Sequence, residues 1–97
     1  MSITVVLDVH MNPEAAAAAR DGGYAETFKA TRAFDGCKFI TAYGVEGEPD
    51  RFVVLERWAS KDHYQRYLAW RRETGYFEKT AGRMASPPVL RYLEEVA

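Results

Sequence analysis

The stretch Arg51–Arg71, RFVVLERWASKDHYQRYLAWR, holds the side chains best suited to chemistry. Trp58, Tyr64, Tyr67 and Trp70 present flat faces against which a planar ring can stack. His63 is a candidate proton acceptor by residue type, as is His10 on a more distant stretch. Arg71 carries a permanent charge that can stabilise an anion. The plain alternative is core packing: aromatic residues on the inner side of a helix usually supply buried area and nothing more. Arg71 in such a row needs an acidic partner, a bound anion, or a path for its charged end to reach water, the last being the commonest solution.

Two elements must position this set. Phe52–Leu55 is an apolar run of strand length, closed by Trp58. Ser60 stands where a helix N-cap belongs and Asp62 suits the first turn, although His63 replaces the Glu or Gln of a capping box. At helical spacing Tyr64, Tyr67, Leu68 and Arg71 share one face, flanked by His63 and Trp70. One strand end and one helix thus aim four aromatic rings, a histidine and an arginine at a common region.

The rest of the chain alternates between the two periodicities. Ile3, Val5, Leu7, Val9 and Met11 line one face of an opening strand, with Ser2, Thr4, Val6, Asp8 and His10 on the other. Asn12-Pro13 opens a helix, Ala15–Ala19 continue it with little bulk, Gly22-Gly23 weakens it, and Asp35-Gly36 ends it near Ala33. Cys37–Val45 is a second strand, and Glu46–Asp50 a polar turn into the third, which makes an antiparallel hairpin. Gly75 interrupts the aromatic helix and Tyr76–Ala81 forms a separate turn. After Ser86-Pro87-Pro88, Val89–Val96 is the last strand.

The order β-α-β-β-α-β predicts an α+β, ferredoxin-like domain spanning 1–97, a four-stranded antiparallel sheet with two helices on one face. A chain of 97 residues buries only about 60–65% of its unfolded surface, and the helix-free face is apolar enough to need a cover. A back-to-back homodimer is the expected remedy.

A net charge of −1 with dispersed basic residues argues against nucleic-acid or membrane-surface partners. The opening MSITVVLDVHM has no basic leader region and reads as a strand rather than a signal peptide. The single Cys37 excludes an internal disulfide and fits a reducing cytoplasm, and two isolated histidines offer no metal cluster.

With an opening strand, a first helix ending in FDGC and then RFVVLERWASKDHYQRY, the whole chain resembles the antibiotic biosynthesis monooxygenase domain of the dimeric α/β-barrel superfamily. Gly36-Cys37 matches the pair that follows helix one in that family. Glu56, Trp58 and Ser60 match the close of its third strand. In the cofactor-free aromatic-polyketide oxygenases of the family, a tryptophan and a tyrosine six residues later line the cavity. Trp58 and Tyr64 match them, while Val54 replaces an asparagine of that pattern. The haem-degrading branch requires an asparagine on strand one, a tryptophan in helix two and a later histidine. Leu7 or Asp8, Tyr67 and Ala81 stand there instead, which speaks against haem degradation.

The resemblance therefore implies a monooxygenase that works without metal or flavin on a phenol, hydroquinone or anthrone-like substrate, whose deprotonated form reduces O2 directly. Under that reading Tyr64 and His63 take part in catalysis, Trp58, Tyr67, Trp70 and Arg71 bind substrate, and no metal or other cofactor is expected. The alternative is a dimeric binding or accessory module of the same fold that holds a small aromatic without turning it over. A stress-associated member without any ligand is a third reading.

Overall fold

A computed structural model describes residues 2–97. Strand β1 (Ile3–His10) leads into helix α1 (Pro13–Ala18), a π-helical turn (Ala19–Gly23) and helix α2 (Tyr24–Ala33). Strands β2 (Cys37–Val45) and β3 (Glu48–Trp58) form the hairpin, followed by helices α3 (Lys61–Glu73) and α4 (Tyr76–Ala81) and strand β4 (Val89–Leu93). The strands make one open antiparallel sheet in the order β2-β3-β1-β4, the ferredoxin-like arrangement. None of the described helices is long and apolar enough to cross a membrane.

The helices begin where the sequence places their caps. The Asn12 side chain accepts from Ala15 N at 2.9 Å. Ser60 Oγ accepts from His63 N at 3.1 Å, and His63 Nδ1 lies 2.7 Å from the same hydroxyl. The imidazole thus takes up the cap hydroxyl in place of a capping-box carboxylate. The break at Gly22-Gly23 is a true interruption: Gly22 has φ 98°, and the preceding helix loosens into a π-turn.

Two boundaries differ from expectation. The turn into β3 is only Glu46-Gly47, and the strand already starts at Glu48. Pro49 is tolerated because the ladder shifts register between Gly44 and Val45, beside it, so no regular bond needs its missing N–H. Strand β4 stops at Leu93 rather than Val96. Leu93 pairs with Thr4, and β1 has nearly run out of residues beyond that point.

Strand register decides the two faces. Val5, Val9, Ile40, Phe52, Val54 and Trp58 point to the helices and join Ala16, Phe28, Tyr64 and Tyr67 in two buried clusters. The opposite face carries Val6, Val53 and Leu55, with Phe39, Tyr43, Val89 and Leu93 exposed around them. Asp8 and His10 belong to this helix-free face, where Asp8 accepts from Arg91 Nη2 at 2.7 Å.

Helix α2 is tied to α3 through Gly36, whose φ is 91° and whose carbonyl accepts from Ala59 N at 2.7 Å. A Cβ there would sit 2.5 Å from His63 ring atoms. We therefore expect Gly36→Ala to destabilise the fold by more than about 1 kcal/mol, both from the left-handed backbone and from the clash. Equilibrium urea unfolding measures this, and a midpoint unchanged from wild type would contradict it.

Candidate active site

Between the sheet and its helices lies an apolar cavity of about 660 Å³. That is ample for a molecule of two or three fused rings. Leu7, Val9, Ile40 and Val54 form its floor, and Phe28 and Tyr24 of α2 one wall. Tyr64, Tyr67 and Leu68 of α3 form the other, and α4 closes over it with Tyr76, Phe77 and Thr80. The small side chains of Ala15, Ala18 and Ala19 also border it. An alanine-rich helix over a sheet leaves space that leucines would fill.

The sequence candidates divide between the cavity and its surroundings. Tyr64 and Tyr67 line it, while Trp58, His63, Trp70 and Arg71 are not among its lining residues. Trp58 lies one layer behind and is wholly buried. Its ring centroid is 4.8 Å from that of Tyr67, 5.5 Å from Tyr64 and 6.3 Å from Phe34. Trp70 packs beside Phe34 and Tyr67. His63 is held by its own helix cap, with Nε2 3.7 Å from Asp35 at the surface. His10 is on the far side of the sheet.

The group that pattern reading passed over is Glu56. It follows Phe52 and Val54 on the inward side of β3, lines the cavity, and is 4% exposed. Trp58 Nε1 donates to its Oε1 at 3.1 Å. Among the described residues no buried side-chain N or O atom lacks a partner. Among the described residues Glu56 Oε2 has no donor and the Tyr64 hydroxyl no hydrogen-bond partner, and both residues line the cavity. Burial pushes the carboxyl up from 4.5 to about 7, against the lowering effect of the Trp58 hydrogen bond. The sequence did carry a signal: counting back by twos from Trp58 puts a charged side chain on the buried face.

Burial also raises both cavity tyrosines. Tyr64 is raised far, first by desolvation and then by the neighbouring Glu56 charge. Tyr67 is raised by desolvation, but hydrogen bonds from Thr31 and Arg71 oppose this. The Cys37 thiol is raised by burial and by Glu56, so it is not a ready thiolate. No cluster of three or more His, Cys, Asp or Glu side chains that would hold a metal occurs among the described residues.

What this architecture can do is hold a flat apolar molecule and take one proton from it at a carboxylate poised near neutrality. The sequence matches the antibiotic biosynthesis monooxygenase family over residues 2–79. The chain belongs to that family. Its fold is similar to that of Rv0793 from Mycobacterium tuberculosis, with TM-score 0.83 and 21% identity over 100% of this chain and 97% of the other. It is also similar to a crystal structure of an antibiotic biosynthesis monooxygenase, with TM-score 0.83 and 18% identity over 98% and 99% of the two chains. A third similar structure is PA3566 from Pseudomonas aeruginosa, with TM-score 0.81 and 16% identity over 99% and 95%. No functionally curated protein matches the sequence.

The carboxyl's position makes a stability prediction. A folded-state pKa of about 7 against 4.5 unfolded means that the folded chain holds the proton longer. The stability this contributes is complete below about pH 4.5, and it is lost as pH rises through about 7, on the order of 3 kcal/mol in all. Glu56→Gln should flatten the decline in unfolding midpoint across that window. In Trp58→Phe, which lacks the indole donor, the Glu56 carboxyl should titrate higher still by carbon NMR, and a lower midpoint would refute the assigned role of the hydrogen bond.

Proposed function

We propose that this chain is a monooxygenase of small planar aromatics, of the phenol, hydroquinone or anthrone class, with Glu56 as the proton acceptor. The observation that carries the reading is a buried carboxyl, Glu56, near neutral in proton affinity and lining a largely apolar cavity of about 660 Å³. Anthrone makes the chemistry explicit. Its methylene, acidified by the ketone, loses a proton to Glu56 and leaves an electron-rich enolate. The enolate supplies the two electrons that reduce O2 to a carbon-bound peroxide, and the remaining C–H bond supplies the two that cleave the O–O bond, so no external reductant enters and the scheme requires no cofactor. A carbon–oxygen bond forms, and the resulting hydroperoxide loses water to give the quinone.

The cavity favours each stage. Apolar walls exclude water from the anion, and the unpartnered Tyr64 hydroxyl is placed to hydrogen-bond a substrate oxygen. Trp58 acts through Glu56, by orienting Oε1 and leaving Oε2 free. His63 and Trp70 serve packing and capping in this scheme. The lone thiol suits a reducing cytoplasm as the working compartment.

A second copy of the chain covers the helix-free sheet face in the working form. The exposed Phe39, Tyr43, Val89 and Leu93 around Val6, Val53 and Leu55 support this, since monomers rarely leave so much apolar surface in one patch. Sedimentation should give a dimer, and Leu55→Lys should shift it to monomer.

Activity is tested by O2 uptake with anthrone. Glu56→Gln should lower the rate at least about 100-fold, and the wild-type pH–rate profile should rise with a midpoint near 7. A wild type that takes up no O2, yet is thermally stabilised by anthrone, would favour a binding module instead.

A further inference from the structure

The cavity is larger than one reacting ring requires. About 150 Å³ is enough to hold a benzene ring, and the space here is about 660 Å³. Strand register gives that space a direction. Glu56 pairs with Val5 on β1, Val54 with Leu7 and Phe52 with Val9. Met11, the next position on the same face, bridges to Met84. Leu7, Val9, Met11 and Met84 line the same cavity as Glu56. From the level of Val5 to that of Met11 the strand runs about 20 Å, at about 3.4 Å per residue. A phenol ring beside Glu56 covers only part of that length.

The two ends differ in kind. At the inner end Glu56, Tyr64 and Tyr67 are buried. At the outer end the lining residues Glu14, Ala18, Gly82 and Arg83 are exposed, so the cavity meets water there. The stretch between holds the apolar side chains of Leu7, Val9, Phe28, Ile40 and Val54. Helix α1 starts directly after Met11, and its cap ties the outer end together. Asn12 N donates to the Arg83 carbonyl at 2.9 Å, and Asn12 Nδ2 donates to the Gly82 carbonyl at 3.1 Å. Ala15 and Ala19, one helical turn apart, line the cavity at this end and pack against the cluster that contains Val9 and Met11. An alanine side chain stops at Cβ, so a longer residue at either position takes up space that the cavity now has. A polar inner end, an apolar passage and an outer mouth together fit a molecule that is polar at one end and apolar along its length.

We propose that the ligand is a phenol or hydroquinone carrying an apolar chain, its ring at Glu56 and its chain running past Leu7 and Val9 to the mouth, and that Ala15 and Ala19 set the chain length accepted. This deepens the reading above and rests on it for the position of the ring. Each methylene moved from water into the passage adds affinity, by up to about fourfold. The ring presents the same hydroxyl to Glu56 whatever chain it carries. Chain length therefore acts on binding and leaves the chemistry at the carboxyl alone.

Binding of para-alkylphenols without O2, read by isothermal titration calorimetry, tests this apart from turnover. Wild type should bind para-heptylphenol at least about 30-fold more tightly than para-methylphenol. Ala15→Leu should weaken para-heptylphenol at least about tenfold and hold para-methylphenol within about twofold of wild type. Ala19→Leu carries the same expectation and decides if Ala15→Leu does not fold. Ala17→Leu adds equal bulk to the same helix at an exposed position outside the lining. It should leave both affinities within about twofold of wild type. Wild-type affinities for the two phenols within about threefold of each other would overturn the proposal. So would alanine-to-leucine variants at 15 and 19 that bind para-heptylphenol as wild type does, or an equal loss in Ala17→Leu. O2 uptake with heptylhydroquinone reads the oxidation separately. No uptake with the chain preference intact would overturn the oxidation and uphold the chain site. Uptake with no chain preference would overturn the chain site alone.

Discussion

A carboxyl group only 4% exposed, held by one indole N–H, is the constraint to which the rest of the molecule answers. Leaving a carboxylate buried and wholly unpaired would cost several kcal/mol, and pairing it with an arginine would hold it ionised and make it a poor proton acceptor. The structure takes neither course. Trp58 supplies a single neutral donor to Glu56 Oε1 and leaves the other oxygen toward the cavity. Trp58 can serve as that donor because Phe34, Tyr64 and Tyr67 surround its ring. The aromatic cluster is therefore both core and scaffold: its packing fixes the indole, and the indole fixes the carboxyl.

The empty volume beside Glu56 follows from an uneven distribution of bulk. Helix α3 presents two tyrosines and fills its end of the sheet. Across the sheet, α1 and the π-turn present alanines, and the break at Gly22 redirects the chain before Tyr24 and Phe28 pack down. Helix α4, set off by the left-handed Gly75, then covers the gap that remains. Bulk at one end holds Trp58 against Glu56, and its absence at the other leaves the cavity.

Arg71 belongs to the same economy of charge. The sequence alone offers it three outcomes: an acidic partner, a bound anion, or an escape to water. It pairs with no acidic side chain among the described residues and lies among three rings, with its N–H groups on Tyr67, Thr31 and a helix carbonyl. The cavity lining carries the Glu56 carboxyl on the sheet side and Tyr64 and Tyr67 on the side of α3, among mostly apolar neighbours.

The amino-acid sequence by itself determined the order of elements, the face of β1 that packs, both helix caps and the break at Gly22, because these depend on local periodicity and backbone chemistry. It also brought Tyr64 and Tyr67 to a common face, since helical spacing fixes which neighbours share a side. Glu56 was legible only as a motif residue, and its raised proton affinity was not, because that depends on how deeply the packed elements bury it. His63 stood out as a base on residue type, and the structure places it outside the cavity lining with Nδ1 2.7 Å from Ser60 Oγ. The ends of β3 and β4 were set by the lengths and register of their partners. Tertiary structure alone decided where the void lies, since a cavity is a difference between packed surfaces from separate elements, and no single stretch of sequence contains both.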